Sequence, residues 1–419
     1  MKVERDISLK SSKLGKKAQI LLLAVLLALS FRNMGLSIVD IGLPSFIIKL
    51  SGSLVSYGIV IGIFSIMQSI FQFPIAASSD KWGRRTIVLI AMMVYITGTF
   101  LCFFAQNILQ LIIFRAIQGI GAYTSILQAI IGDIFKKEKH GKGMGFYSLA
   151  INIGYFGGIL LGGYISSFLG FRHIFSISGF LILCSTVFLM VVFNSNSKEE
   201  IHNDASNPTN PEMLSLKREN VVRLLKNRQI NITIVLNSTR WFIFGGIVAY
   251  LVWVLQNYFN IDEIMSSYYL ILIVSVYVSF VILSSKILDR QGPRKMMLIG
   301  QTIAISFGIF FFFDFSRIFP VFLVLTLGIG AGLALYDPAG ATLLLNKIVQ
   351  VDANLKGTGI GFNNAIGFFF GALGPIFICG LGEIDVFVPF YLIFALIVFA
   401  FLTTWKLIKV PTDEKREER

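Results

Sequence analysis

The chain has 419 residues, of which 55% are hydrophobic and only 14% are charged. Ordinary soluble domains carry about 25% charged residues, so this composition excludes a soluble enzyme and indicates a membrane protein. The formal net charge of +13 would suggest a nucleic-acid partner in a soluble protein; here its meaning depends on where the Lys and Arg residues lie.

Long apolar segments follow one another along the whole chain. A bilayer core about 30 Å thick needs roughly 20 apolar residues per helix. On that window the sequence predicts an all-α membrane protein with twelve transmembrane helices, arranged as two pseudo-symmetric six-helix bundles. The predicted spans are 18–48, 55–78, 86–104, 108–134, 143–169, 172–193, 230–256, 264–285, 296–313, 319–346, 357–381 and 387–407.

One long polar loop divides these spans six and six. It covers 194–229 and separates a predicted N-terminal bundle, 1–193, from a predicted C-terminal bundle with a short tail, 230–419. Apolar residues spaced among basic ones near its end predict a helix that lies on the membrane surface; they are Val221, Val222, Leu224 and Leu225.

The basic residues alternate between the two sides of the membrane. Nearly all of those outside the spans fall in loops that share one face, whereas the other face has only Lys49, Arg172 and Arg317. The positive-inside rule therefore predicts that both termini and the central loop are cytoplasmic, and it accounts for the basic excess without nucleic acid. No small-residue cleavage site follows the first apolar run, so we expect a retained span in a multi-pass protein of the cell membrane.

Residues that usually carry metal or redox chemistry are few and scattered. The three cysteines, Cys102, Cys184 and Cys379, lie inside apolar runs and offer neither a disulfide framework nor a CxxC site. The three histidines are not clustered along the chain. We therefore expect no metal, no cofactor and no enzymatic activity.

Two charged turns lie half a chain length apart. Each joins the second and third spans of its half and places an acid, a basic residue and a glycine in the same order. The glycine permits a tight reversal, and the acid can accept hydrogen bonds from free helix-end N–H groups. The alternative is that the basic residues only anchor the loop. The residues are Asp80, Lys81, Gly83, Arg84 and Arg85 in the first turn, and Asp289, Arg290 and Gly292 in the second.

At these turns the chain resembles the major facilitator superfamily, and the likeness covers nearly its whole length. The first turn fits the superfamily signature Gly-x-x-x-Asp-[Arg/Lys]-x-Gly-Arg-[Arg/Lys], with Ala76 at the first glycine. The fourth span contains "RAIQGIGA", which is similar to a motif of drug/proton antiporters and includes Arg115 and Gln118. In those antiporters the arginine is implicated in proton coupling, and the resemblance implies the same role for Arg115.

The fifth span resembles a glycine pattern of the same antiporters. Ile159 stands where that pattern has proline. Glycines four residues apart lie on one stripe, so another helix can approach at backbone distance. In the family that helix would come from the opposite half; ordinary small-residue packing is the alternative. The pattern residues are Gly145, Gly154, Gly158, Gly162 and Gly163.

Five of the ionisable residues inside predicted spans stand out, because charge is costly there and usually marks a pathway. Their positions predict that Arg32 and Arg240 lie near the midplane and that Asp40 pairs across to Arg115. The fifth, Asp337, precedes Pro338 in the tenth span. The resemblance implies a cavity lined by the first, fourth, seventh and tenth spans, which carry all five. The alternatives are a solvated span end for Asp40, a helix break for Asp337 and buried structural ions for the arginines.

Two transport hypotheses follow. In the first, the protein resembles proton-driven exporters of drug-like, lipophilic molecules, with Asp40 or Asp337 taking up the proton and the proton gradient as driving force. In the second, Arg32 and Arg240 bind an organic anion, as in the organic phosphate antiporters. Sugars, amino acids or other solutes remain open as substrates, as does a non-transporting receptor or scaffold. We expect a small-molecule substrate, the lipid bilayer as surroundings, and a functional monomer.

Overall fold

The structure is a computed structural model that describes residues 15–135, 140–195, 224–352 and 355–408. Within these ranges, the side chains of Phe73, Asp80, Asp289, 140–142 and 356–358 are not described. The described residues form helices that match the twelve predicted spans, which confirms the predicted fold. In span order the helices are Lys16–Lys49, Leu54–Trp82, Arg84–Phe103, Ile108–Ile120 with Thr124–Ile134, His140–Phe168, His173–Ser195, Arg228–Trp253, Glu263–Gln291, Pro293–Gly308, Phe319–Val351, Lys356–Gly382 and Val388–Leu407.

The fourth span is broken, although the sequence predicts one continuous helix. Its first helix ends at Ile120 and the second begins at Thr124. Both glycines at the break lie against neighbouring backbone. A Cβ atom on Gly119 would collide with the Phe64 carbonyl of the second span, and one on Gly121 would lie 2.6 Å from the Ala91 carbonyl of the third. The break thus lets three spans approach at backbone distance.

Two other spans end in tighter or wider turns than an α-helix. The seventh span continues as a π-helix over Val254–Tyr258, and the ninth continues as a 3₁₀ helix over Ile309–Phe312. Single π turns inside α-helices are frequent at functional sites. Here the π turn carries Gln256, whose Nε2 donates to the Ile41 carbonyl of the first span at 2.9 Å.

The predicted surface helix can be followed only at its end, because Val221 and Val222 lie outside the described residues. Leu224 is buried and belongs to an apolar cluster with Ile230 and Ile348. This part of the central loop therefore packs against the seventh and tenth spans.

Tight reversals at the two charged turns are confirmed. The turn between the second and third spans is made by Gly83 with φ of 92°, and the one between the eighth and ninth by Gly292 with φ of 77°. Such positive φ angles favour glycine. Arg84 forms an ion pair with Asp133 at the end of the fourth span. The side chains of Asp80 and Asp289 lie outside the description, so their hydrogen bonds to helix ends stay a prediction.

The glycine stripe of the fifth span packs on the first span, which corrects the expectation that its partner comes from the opposite half. Cβ atoms on Gly154 and Gly158 would collide with the carbonyls of Ser30 and Met34. A Cβ atom on Gly162 would lie 3.0 Å from the Ile38 backbone. The stripe therefore holds the N-terminal half together.

The two remaining pattern glycines behave differently from the stripe. A Cβ atom on Gly145 would meet nothing within 4 Å, so the prediction that Gly145 packs against a helix is wrong. Gly163 does face the opposite half, since its Cβ atom would lie 2.8 Å from the Glu263 carbonyl of the eighth span. Close packing between halves at this helix therefore involves Gly163.

The two halves meet at one side of the membrane. We call the side of the Gly83 and Gly292 turns the terminal face, because the first and twelfth spans also begin and end there, and the other side the opposite face. At the opposite face the Tyr57 hydroxyl donates to the Ala249 carbonyl at 3.1 Å, and the Tyr164 and Tyr268 hydroxyls are 2.8 Å apart.

Backbone contacts close the same face. A Cβ atom on Gly58 of the second span would lie 2.5 Å from the Pro375 carbonyl oxygen of the eleventh. The Val55 N–H donates to Glu383 Oε1 at 3.1 Å. The hydrogen bonds described between the two halves lie at this face. The halves are therefore joined at the opposite face.

Candidate substrate and proton pathway

Arg32 is a buried cation without an acidic partner among the described residues. It is 5% exposed, and its guanidinium carbon lies 5.7 Å from the ring centres of both Tyr95 and Tyr123. Its Nε atom and the hydroxyls of the two tyrosines are buried without a hydrogen-bond partner. Aromatic faces attract a cation but leave its N–H groups unsatisfied. The break in the fourth span places Tyr123 beside this arginine.

Arg115 is bound by neutral groups. It is 1% exposed, and its Nη1 donates to Gln118 Oε1 at 2.7 Å. Gln118 Nε2 in turn donates to Thr99 Oγ1 at 2.8 Å, which links the fourth span to the third. The guanidinium also lies 4.6 Å from the ring centre of Phe64. Arg115 and Gln118, predicted from one motif, thus act as a single hydrogen-bonded unit.

Asp40 lies within the first span, well before the helix ends at Lys49, and is partly buried. It is therefore not a solvated span end. It also makes no ion pair with Arg115 among the described residues, which corrects the predicted pairing. The two residues lie on helices whose separation and rotation the sequence does not give. The Asp40 carboxylate lies inside a span and has no described hydrogen-bond donor. Arg115 is near enough for its positive charge to attract this carboxylate.

Arg240 and Asp337 form an ion pair between the seventh and tenth spans. Arg240 Nη1 lies 2.8 Å from Asp337 Oδ1, and the Tyr277 hydroxyl donates to Asp337 Oδ2 at 3.0 Å. The Asp337 side chain is 32% exposed and that of Arg240 is 10% exposed. The tenth span runs as one helix through Pro338, so Asp337 does not stabilise a helix break. Its partner is Arg240 in the ion pair.

Aromatic and amide groups surround this ion pair. The Arg240 guanidinium lies 5.0 Å from the ring centre of Trp241, which packs against Phe368 of the eleventh span. Asn237, one turn away on the seventh span, donates to Asn363 Oδ1 at 3.2 Å. The C-terminal half therefore offers a polar and aromatic wall around a neutral ion pair.

Charge is distributed unequally between the two halves. In the C-terminal half Asp337 neutralises Arg240. In the N-terminal half two arginines, Arg32 and Arg115, stand against the single carboxylate of Asp40. With both carboxylates ionised, these five residues carry one surplus positive charge, and it belongs to the N-terminal half.

Several residues of this pathway were not found from the sequence. Tyr95 lies on the third span and Tyr277 on the eighth, and the family expectation placed the cavity on four other spans. Glu263, at the start of the eighth span, accepts from Ser45 Oγ of the first span at 3.0 Å. A tyrosine or glutamate inside or at the end of a span was the only signal that could have found them.

Twelve spans in two halves that are joined at one face, with buried charges inside the spans of each half, fit a membrane transporter. The sequence matches the Major Facilitator Superfamily over residues 23–375 and again over 242–419, and the chain belongs to that superfamily. It is a multi-pass protein of the cell membrane and not an enzyme.

Similar proteins are distant in sequence. An uncharacterised MFS-type transporter of Methanocaldococcus jannaschii is 26% identical over 352 residues, which cover 81% of this chain and 86% of that protein. The class B tetracycline resistance protein of Escherichia coli is 26% identical over 326 residues, which cover 76% of this chain and 77% of that protein.

A solved structure shares the fold. It is a bacterial homologue of the human lysosomal transporter Spinster, in an inward-facing and unoccupied conformation. The TM-score is 0.74 with 16% sequence identity, and the match covers 95% of this chain and 99% of the other.

Proposed function

We propose that the protein is a proton-coupled exporter of small drug-like, amphipathic molecules that works by alternating access. The observation that carries this proposal is the pair of carboxylates inside the first and tenth spans, in a molecule whose halves are joined at one face. Asp40 has no described hydrogen-bond donor, and Asp337 is partly exposed beside Arg240. The similarity to a tetracycline resistance protein supports the export of drug-like molecules.

The coupling step follows from the ion pair. When Asp337 is ionised, it neutralises Arg240 and the two spans are held together by charge. Protonation of the carboxylate removes that attraction and leaves Arg240 to other partners. Proton uptake thereby changes the contact between the seventh and tenth spans. Asp40 lies in the other half, where its protonation removes the negative charge that offsets the positive charges of Arg32 and Arg115.

The direction of transport rests on the predicted orientation of the termini. If the terminal face is cytoplasmic, the face at which the halves are joined is the outer one. Substrate then enters between the halves from the cytoplasm and leaves after the opposite face opens. The basic turns at Gly83 and Gly292 support this orientation.

The second hypothesis, in which Arg32 and Arg240 together bind an organic anion, loses support. Arg240 is occupied by Asp337 at 2.8 Å. The symmetric pair of arginines is therefore unequal in the structure, with Arg32 alone lacking a carboxylate.

The test is transport in proteoliposomes with an imposed pH gradient. We expect the gradient to accelerate the movement of aromatic amphipathic compounds, and we expect Asp40→Asn and Asp337→Asn each to abolish that acceleration. Asp314→Asn, an exposed acid at the opposite face, is the matched control and should transport like the wild type. Equal movement with and without the gradient, for compounds of either charge, would contradict proton coupling.

A further inference from the structure

The N-terminal half contains a set of hydrogen-bond donors that the chain does not use. We call Arg32, Tyr95 and Tyr123 the arginine–tyrosine cleft. Arg32 forms no hydrogen bond or ion pair with another described residue, and its Nε atom is buried. The Tyr95 and Tyr123 hydroxyls are likewise buried and make no hydrogen bond of normal geometry, although Gln118 lies close to the Tyr95 hydroxyl. A buried donor without a partner costs free energy, so a native structure that keeps three such groups together requires an explanation.

Packing alone does not provide that explanation. The two ring faces stabilise the cation, each with its centre 5.7 Å from the guanidinium carbon, but they accept no strong hydrogen bond. Asp337, which neutralises the corresponding arginine of the other half, has no counterpart here. A glutamine or methionine would fill the same space without a charge to desolvate.

All three groups can donate, and a guanidinium matches a carboxylate in a bidentate geometry. The third hydroxyl near this cation is that of Tyr147 on the fifth span, which is partly exposed. These hydroxyls come from the third, fourth and fifth spans, so donors from three neighbouring helices lie around the cation of the first span. The remaining requirement is an acceptor that carries the missing negative charge.

We propose that the arginine–tyrosine cleft binds the carboxylate of an amphipathic substrate. The surplus positive charge of Arg32, Asp40, Arg115, Arg240 and Asp337 belongs to this half, so one monoanion makes the set neutral. The inference rests on the proposed transport function and names its substrate class, which is aromatic or aliphatic acids.

The test is equilibrium binding by calorimetry to the purified full-length protein in detergent. Three probes share one ring system and differ in charge: 1-naphthoate, 1-naphthylmethanol and 1-naphthylmethylammonium. Acetate is the fourth probe and represents a simple anion. We expect the wild type to bind 1-naphthoate at least about tenfold more tightly than the neutral and cationic probes and acetate.

Variants then assign the binding to the cleft. Arg32→Gln should weaken 1-naphthoate binding at least about tenfold and leave the neutral probe unchanged. Arg32→Lys should keep part of the affinity, because it keeps the charge and loses the bidentate fork. Tyr123→Phe should weaken binding a fewfold, since it removes only the hydroxyl. Arg317→Gln, which removes a positive charge at the opposite face, is the control.

Three outcomes overturn the proposal. They are a wild type that prefers the cationic probe, an Arg32→Gln variant that binds 1-naphthoate within twofold of the wild type, and acetate binding as tight as that of 1-naphthoate, which would indicate an inorganic-type anion site only. The comparison of the four probes uses the wild-type protein alone, so it tests the proposal even if a variant fails to fold. Because binding is measured without a pH gradient, its failure is distinct from a failure of proton-coupled transport.

Discussion

Arg32 and Arg240 occupy corresponding positions in the two halves and have different surroundings. Arg240 has a carboxylate at 2.8 Å, and Arg32 has two aromatic rings. The sequence predicted that both lie inside spans, because an arginine in an apolar segment is visible in the sequence. It did not predict which of them is neutralised, since the partner depends on how neighbouring helices are rotated.

The ion pair of the C-terminal half gives the first prediction for stability. Removing one partner of a fully buried pair costs about 3–5 kcal/mol because the other charge stays buried. Asp337 is 32% exposed, so we expect Asp337→Asn to lower the free energy of unfolding by about 1–3 kcal/mol. Thermal unfolding in detergent measures the effect.

The double variant Arg240→Gln with Asp337→Asn provides the control. It removes both charges, so we expect it to be more stable than Asp337→Asn alone. If the two variants have the same unfolding temperature, the ion pair does not hold the seventh and tenth spans together.

At the scale of helices, the sequence predicted the number and approximate ends of the spans. A run of about 20 apolar residues is a local property and requires no knowledge of neighbours. The break at Gly121 was not predicted, because its cause is the backbone of the third span, at 2.6 Å from a Cβ atom placed there. The partner of the fifth-span stripe was predicted wrongly for the same reason: spacing gives the face of a helix but not what covers it.

The stripe gives a second prediction. Gly158→Leu should destabilise the N-terminal half, because a side chain there would collide with the Met34 carbonyl and the Ser37 hydroxyl, and backbone cannot move aside easily. We expect a loss of about 1–3 kcal/mol or failure to fold, seen as a lower unfolding temperature and a lower yield of monodisperse protein.

Gly145→Leu is the matched control on the same helix, since a Cβ atom there meets nothing within 4 Å. It should have the stability of the wild type. A Gly158→Leu variant that unfolds at the wild-type temperature, with altered access from one side of the membrane only, would assign the stripe to gating in place of packing.

At the scale of the whole molecule, the halves are joined at the opposite face by apolar and backbone packing and by a small set of polar contacts. Glu263 accepts hydrogen bonds from Ser45 at 3.0 Å and from Ser167 at 3.4 Å, which come from the first and fifth spans. The sequence could not predict this closed arrangement, because alternating access requires the same chain to form it and to break it.

Glu263 therefore provides a third prediction. Hydrogen bonds to a charged acceptor are roughly twice as strong as neutral ones, so Glu263→Gln should weaken the closed face by about 1 kcal/mol. We expect a cysteine at Ile41, buried beneath this contact, to react about fivefold faster with a membrane-impermeant thiol reagent from the opposite face. The native cysteines are first replaced.

Asp314→Asn serves again as the control, because its acid lies at the same face and its described ion pair is with Arg317 of its own half. An unchanged reaction rate in Glu263→Gln, or an equal increase in the control, would show that the carboxylate does not keep this face closed.

The surplus positive charge of the N-terminal half has an electrical consequence. One elementary charge moved through a membrane potential of 100 mV changes its free energy by about 2.3 kcal/mol. A site that holds a monoanion beside these five residues is neutral, so its passage between the two open forms does little electrical work. The empty, protonated site is positive, and the membrane voltage acts on its return. We expect the rate of 1-naphthoate exchange between the two sides of a proteoliposome to be unaffected by a potassium diffusion potential set with valinomycin. The rate of net proton-driven export should instead rise or fall with the sign of that potential.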